Sequence, residues 1–292
     1  MEFQFFLNGI ISGSIYALIA LGFSIIYRTV KFFHFAHGVV YAAGAYLGYT
    51  LCISIGLPQI ISVPLAVLCS AILGILIDKL CYSPLRAQKS PNLVFLIASF
   101  GIFIFLQNLL QILYGAQILS PRTGLIKEGH HILGAVITDI QITIIVVSLI
   151  LFLGLWLLIQ KTKLGKAIRA VSDDPVAAKT VGINSERIIL SSFSVGSALA
   201  GIAGILISYE TNIEPTMGFA AILKVMIAAI VGGIGSITGS LVGGLFLGLA
   251  ENLGIWKIQS GWKDAIAFGI LILFLLLRPQ GILGKKTEKE TI

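Results

Sequence analysis

Lys161-Thr-Lys-Leu-Gly-Lys-Ala-Ile-Arg-Ala-Val-Ser-Asp-Asp-Pro-Val-Ala-Ala-Lys-Thr-Val-Gly-Ile-Asn-Ser-Glu-Arg187 carries nine charged residues in 27 positions, and a long apolar run stands on each side of it. Leu164, Ile168 and Val171 recur at i, i+4 and i+7, which places them on one face of a helix. Lys163, Lys166 and Arg169 fall on other faces. Asp174-Pro175 reads as an N-cap followed by proline at the first helical position. Gly182 is placed to end that second helix. The pattern predicts two short surface helices with a bend between them. Locally it fits a docking surface and a solvated basic loop equally well, so the rest of the chain has to decide.

Of the 292 residues, 57% are apolar and 11% charged, and the mean hydropathy is +0.99. Soluble domains carry roughly 25% charged residues. A chain this poor in charge cannot cover itself with a polar surface, so it is predicted to be a multi-span membrane protein. Thirty-two glycines suit helices that pack closely in lipid. The apolar segments lack strict alternation, which excludes an outer-membrane barrel. The net charge of +7 does not indicate nucleic acid, because the basic residues cluster at the ends of apolar runs. Cys52, Cys69 and Cys81 show no metal spacing and read as packed thiols. No basic residue precedes the first apolar run, and no small-residue cleavage site closes it. That run is read as a retained first span.

Spanning runs occur at about 4–27, 39–56, 60–78, 93–114, 140–160 and 188–208, with a glycine-broken region at 219–253 and a last span at 264–278. The fold class is therefore all-α and polytopic, with eight to nine transmembrane segments in a single domain, 1–292. Arg28 and Lys31, then Lys79, Arg86 and Lys89, then the 161–187 stretch, then Arg278, Lys285, Lys286 and Lys289 hold 15 of the 20 basic residues. All four places are assigned to the cytoplasm, which puts the N-terminus outside and the C-terminus inside. The loops at 115–139 and 209–218, with Glu128, Asp139, Glu210 and Glu214, fall outside.

By parity, 219–253 starts and ends outside. It is read as two short spans turning at Gly232-Gly-Ile-Gly-Ser-Ile-Thr-Gly239. Gly232, Gly233, Gly235, Ser236 and Gly239 then form either a gate near a translocation path or an ordinary turn between close-packed helices. A thin echo links Gly13-Ser-Ile-Tyr-Ala with Gly196-Ser-Ala-Leu-Ala. It also links Phe35-Ala-His-Gly38 with Pro215-Thr-Met-Gly218, as an inverted repeat would.

No catalytic constellation stands out. His34 and His37, three apart at a membrane edge, lack further metal ligands and read as solvated or interfacial. No Walker A motif is present, so the chain does not bind and hydrolyse ATP by a P-loop of its own, and no cofactor is expected in it. Polar residues inside spans are costly and so are candidates for either a pathway or interhelical hydrogen bonds. They include Asn8, Ser12 and Tyr16 in the first span, and Gln107, Asn108 and Gln111 in the fourth. Charge at membrane depth is nearly absent, Lys224 and Glu251 lying near the ends of the broken region. An ion-coupled relay is therefore not offered, and the energy source is expected outside the chain.

Several motifs in order carry a family resemblance. They are Gly22-Phe-Ser-Ile-Ile-Tyr27, Phe35-Ala-His-Gly38, Leu106-Gln-Asn108, the run from Lys163 to Pro175, Gly182-Ile-Asn184, Gly232-Gly-Ile-Gly-Ser236 and Arg278-Pro-Gln-Gly281. Together they resemble the branched-chain amino acid ABC transporter permeases, of the shorter-subunit type. Urea permeases share much of this pattern. The resemblance implies a second, similar permease, two cytoplasmic ATP-binding subunits holding ATP and magnesium, and an extracytoplasmic binding protein. Val176-Ala-Ala-Lys-Thr-Val-Gly182 resembles the Glu-Ala-Ala-x-x-x-Gly coupling motif, with Val176 at the glutamate position. It implies that Asp174, Pro175, Val176, Ala177, Ala178 and Gly182 dock onto the ATPase. The basic helix at 163–172 is left to rest on membrane lipid. The rivals are a urea or amide ABC permease, and a secondary transporter or channel working alone.

Overall fold

The computed structural model describes residues 2–122, 129–132 and 134–284. Glu128, Lys285, Lys286 and Lys289, used above to assign sides, lie outside the described residues. The chain order is α1 (Glu2–Val30), α2 (Ala36–Tyr49) with a π turn at Thr50–Ser54, and α3 (Gln59–Ile77) with a π turn at Asp78–Tyr82 leading into α4 (Ser83–Ala87). Next come α5 (Asn92–Tyr114), a hairpin of β1 (His130–Ile132) and β2 (Ala135–Ile137), and α6 (Asp139–Lys161). The second half holds α7 (Lys163–Asp173), α8 (Pro175–Thr180), α9 (Ser185–Thr211), α10 (Met217–Gly232), α11 (Ile237–Gly254) and α12 (Lys263–Leu277). Among the described residues, seven helical runs are long and apolar enough to cross a membrane, and α10 is a shorter apolar helix. With α2 and its π turn they make the polytopic all-α architecture the composition calls for.

Local chemistry sets the helix ends. Thr138 and Gln141 form a reciprocal capping box at the start of α6. The Asn184 carboxamide accepts from the Arg187 backbone N–H at 3.1 Å to start α9. Gly115, with φ of 81°, ends α5.

Helix α1 is the axis of the bundle, with 83% of its apolar window buried against 6% for that of α12. Small residues let its neighbours approach. A Cβ added at Gly248 of α11 would stand 2.3 Å from the Gly13 nitrogen, and one at Gly22 would stand 2.5 Å from the Gly196 oxygen of α9. The close pairs are reciprocal. A Cβ on Gly196 meets the Gly22 oxygen, and Gly38 and Gly218 meet each other's carbonyls in the same way. Helix α1 lies against α11 and α3 lies against α9. That exchange of partners between α1–α3 and α9–α11 has the form an inverted pair of units would take.

All described basic groups outside 115–141 and 224–263 gather at one end. Arg28 donates to the Ser172 hydroxyl of α7 at 3.3 Å, and Arg86 donates to Glu186 of α9 at 2.8 Å. The turn at 233–236 is at that end too, because Gly235 sits against Tyr27 and Arg28. The chain after α12 comes back to the same turn, with the Ile282 and Leu283 N–H groups donating to the Val231 and Gly232 carbonyls at 2.8 and 2.9 Å. In the structure 232–239 is thus a turn at the bundle end. Gly232 and Gly239 are in close mutual contact there, Ser236 caps α11 by accepting from the Gly239 N–H at 3.0 Å, and Gly233 abuts Gly284.

The stretch between α1 and α2 departs from the sequence expectation. His37 Nε2 lies 3.2 Å from the Ile19 carbonyl, eleven residues before the end of α1. At 1.5 Å per residue that carbonyl lies about 16 Å back from the end of α1, so the chain turns back along α1 before α2 is under way and the His37 side chain spans the remaining distance. His34 and His37 are fully buried and not interfacial. Irregular backbone at such depth persists only where protein encloses it. Here Ser99 of α5 accepts from the Ala36 N–H at 3.2 Å, and the Tyr82 hydroxyl meets His34 Nδ1 at 3.0 Å.

Candidate functional site

At the end opposite α7 and α8, the helices open into a cavity of about 510 Å³. Such a volume suits a small molecule. Helix α1 supplies two neighbouring stripes of its wall, each spaced four residues apart. Asn8, Ser12 and Tyr16 make the polar stripe, and Ile11, Ile15 and Ile19 the apolar one. Tyr41, Ile207, Met217, Ala220 and Ala221 extend the lining, and Thr211 and Asn212 stand at its edge. Ile19 is the deepest α1 residue on the wall, and beyond it α1 is closed off by buried neighbours.

Charge enters the cavity from two sides of the fold. Lys224 of α10 and Lys263 of α12 line it, as do Glu210 at the end of α9 and Glu214 just after it. Glu251 of α11 is wholly buried behind Lys224, where its Oε1 accepts from Lys224 Nζ and its Oε2 from the Tyr16 hydroxyl, each at 2.9 Å. Lys224 also meets Asp264 Oδ1 at 3.1 Å, and Lys263 donates to the Asn252 carboxamide at 3.2 Å. A buried carboxylate is tolerable only when paired in this manner. The sequence expectation places these charges only near the ends of the broken region, whereas the structure buries Glu251 and pairs it with Lys224. The sequence shows Lys224 and Glu251 singly, and no local signal announces their pairing across 27 residues. Glu210 Oε1 accepts from Gln141 of α6 at 2.8 Å, which fixes that carboxylate at the cavity rim. The segment at the mouth is tied down by the Leu119–Ile213 bridge and by Arg122, whose side chain donates to the Tyr209 and Glu210 carbonyls.

The structure separates the two groups of polar span residues. Asn8, Ser12 and Tyr16 meet on the cavity wall. Gln107, Asn108 and Gln111 of α5 do not reach it. Asn108 and Gln111 are exposed on the outer face of the bundle, and Asn108 donates to the Ile104 carbonyl of its own helix at 2.8 Å.

At the other end, α7 and α8 follow the pattern read from 161–187. Asp174 Oδ1 accepts from the Val176 and Ala177 N–H groups at 2.7 and 3.0 Å, and Gly182 takes a φ of 82°. Helix α7 does not merely rest on lipid, because Ile168 and Val171 are buried against the bundle. Ala178 is buried beneath α8, whereas Val176 and Val181 are 71% and 73% exposed. Two bare valines beside Pro175, Ala177 and Gly182 make an apolar knob outside the body of the protein. Just beneath, Arg86 joins the buried Asp78 to Glu186 at the start of α9.

Comparison with known proteins identifies the class. Residues 5–275 match the family described as the permease component of branched-chain amino acid transport systems. The chain is 39% identical to the high-affinity branched-chain amino acid transport system permease protein BraD of Pseudomonas aeruginosa, over 97% of this chain and 95% of that one. It is 36% identical to the corresponding LivH protein of Escherichia coli K12, over 97% of each chain. It is also 26% identical to LivM of Salmonella typhimurium, a permease of the same kind of system, over 92% of this chain and 68% of that one. The solved structure of PsaBC from Streptococcus pneumoniae in complex with Fab shares the fold, with a TM-score of 0.52 at 15% identity, covering 95% of this chain and 93% of that one. The chain belongs to the branched-chain amino acid permease family and is a multi-pass membrane transport subunit.

Proposed function

We propose that this chain is the shorter permease subunit of an ABC importer that carries branched-chain amino acids across the cell membrane, N-terminus outside and C-terminus in the cytoplasm. The single observation that supports this most is the paired wall of α1. An isoleucine stripe for an aliphatic side chain runs beside a polar stripe, with charged groups of both signs facing the same cavity. Urea needs polar groups alone and gains nothing from Ile11, Ile15 and Ile19, so the geometry favours a branched aliphatic substrate over it.

The partners follow from the other end. The exposed knob of α8 is suited to a groove on a cytoplasmic ATP-binding subunit, two of which would drive the complex. A second, similar permease would close the cavity, and an extracytoplasmic binding protein would deliver substrate at 115–122 and 209–218. ATP and magnesium belong to those partners. Membrane lipid surrounds the complex, and nucleic acid has no part in it. Alternating access, with α8 moving as the ATPases close, is the mechanism this arrangement supports.

The test is uptake by proteoliposomes holding this chain with its partner subunits, given labelled leucine and labelled urea. ATP-dependent accumulation of leucine is expected. Accumulation of urea alone would overturn the substrate, and uptake by this chain without ATP-binding subunits would overturn the ABC mechanism.

A further inference from the structure

We propose that Lys224 is the residue that receives the α-carboxylate of the transported amino acid, in exchange for Asp264. This rests on the transport reading above and assigns it a specific group.

The geometry of the ammonium carries the argument. An ammonium has three N–H donors. One of those on Lys224 is taken by Glu251 at 2.9 Å and one by Asp264 at 3.1 Å, and Lys224 itself lines the cavity. Its two anionic partners differ sharply in setting. Glu251 is fully buried and doubly bonded, also accepting from Tyr16, so it cannot leave without stranding a charge. Its place is to hold Lys224 aimed at the cavity. Asp264 is 73% exposed at the start of α12, so its contact with Lys224 is weak and readily replaced. A substrate carboxylate entering the cavity takes over Asp264's place on Lys224 and also uses the third N–H. Lys263, held on Asn252, adds a second positive charge to the same wall. Glu210 and Glu214, from the α9 side of the cavity, offer anions to the substrate's α-ammonium. The isoleucine stripe takes the side chain. A zwitterion with an aliphatic tail satisfies all three features together, whereas an amine or an amide brings no carboxylate to exchange for Asp264 on Lys224.

The experiment is equilibrium binding of labelled leucine and of leucinamide, whose carboxylate is neutralised, to the purified complex of this chain with its partner subunits. The wild-type complex is expected to prefer leucine at least tenfold. The double variant Lys224→Met with Glu251→Gln removes the cation without leaving a buried anion. It should co-purify with its partners and lose that preference. Asp264→Asn removes only an exposed competitor and should tighten leucine binding several-fold while leaving leucinamide unchanged. If the wild type does not distinguish the two ligands, or if the double variant keeps the preference, or if Asp264→Asn leaves leucine binding unchanged, the assignment falls. Those results would leave leucine uptake by the wild-type complex untouched. A wild-type complex that does not import leucine would overturn the transport reading and this assignment with it.

Discussion

Arg86 grips the fully buried carboxylate of Asp78 with both terminal nitrogens, at 2.6 and 3.0 Å, and reaches Glu186 at the base of α9 with the same guanidinium. One residue thus fastens the π turn below α3 to the helix that follows the exposed knob of α8. The bidentate fork gives the pair its direction as well as its strength. The same π turn carries Tyr82, which meets His34 at the re-entrant stretch beside α1.

The two arms of this clamp have different weights. Arg86→Met leaves Asp78 as an unpaired buried charge and is expected to cost about 3–5 kcal/mol. Glu186→Gln breaks a pair whose carboxylate is 49% exposed, with an expected cost of about 0–1 kcal/mol. Thermal unfolding of the two variants in detergent checks this, and equal losses would show that Asp78 finds another partner.

The exposed knob of α8, proposed to dock on an ATP-binding subunit, yields a second prediction. Val176→Asp and Val181→Asp change exposed side chains that the fold does not need. Both are expected to leave the chain in the membrane and weaken its capture of ATP-binding subunits on the order of tenfold. Gly182→Pro demands a φ near −65° where the chain holds 82°, and it removes the N–H that donates to Lys179. It should abolish capture. Ala178→Asp places a carboxylate in the packed underside of α8, so it acts by unseating that helix. Co-purification and membrane level, measured together, separate these effects, and unchanged capture by both valine variants would remove α8 from the interface.

Glycines divide by what surrounds them. Gly22→Val forces a side chain onto the Gly196 carbonyl, 2.5 Å from the first added carbon, and is expected to lower stability by about 1–3 kcal/mol or more. At Gly154, on the outer face of α6, an added carbon meets nothing within 4 Å. Gly154→Ala should stabilise the helix by about 0.5–1 kcal/mol. Unfolding temperatures of the two variants should move in opposite directions.

Much of this molecule was legible in short stretches of chain. Membrane class follows from too little charge to make a polar surface. The two helices at 163–182 follow from Asp174-Pro175 and Gly182, because caps act over one turn. The count of apolar segments follows from their length. What sequence could not show was depth and pairing. His34 and His37 stand beside basic residues in the chain, yet the fold carries them back along α1 into the core. Asn8, Ser12 and Tyr16 read no differently from Gln107, Asn108 and Gln111, and only packing put the first three on a cavity and the last two on the outer face. The network of Tyr16, Glu251, Lys224 and Asp264 joins residues as far as 235 positions apart. Local propensity acts over a few residues, while a buried carboxylate is stabilised by whichever groups the helices bring within 3 Å of it. Sequence alone therefore determined the class of this chain, and the tertiary structure decided which of its distant side chains meet.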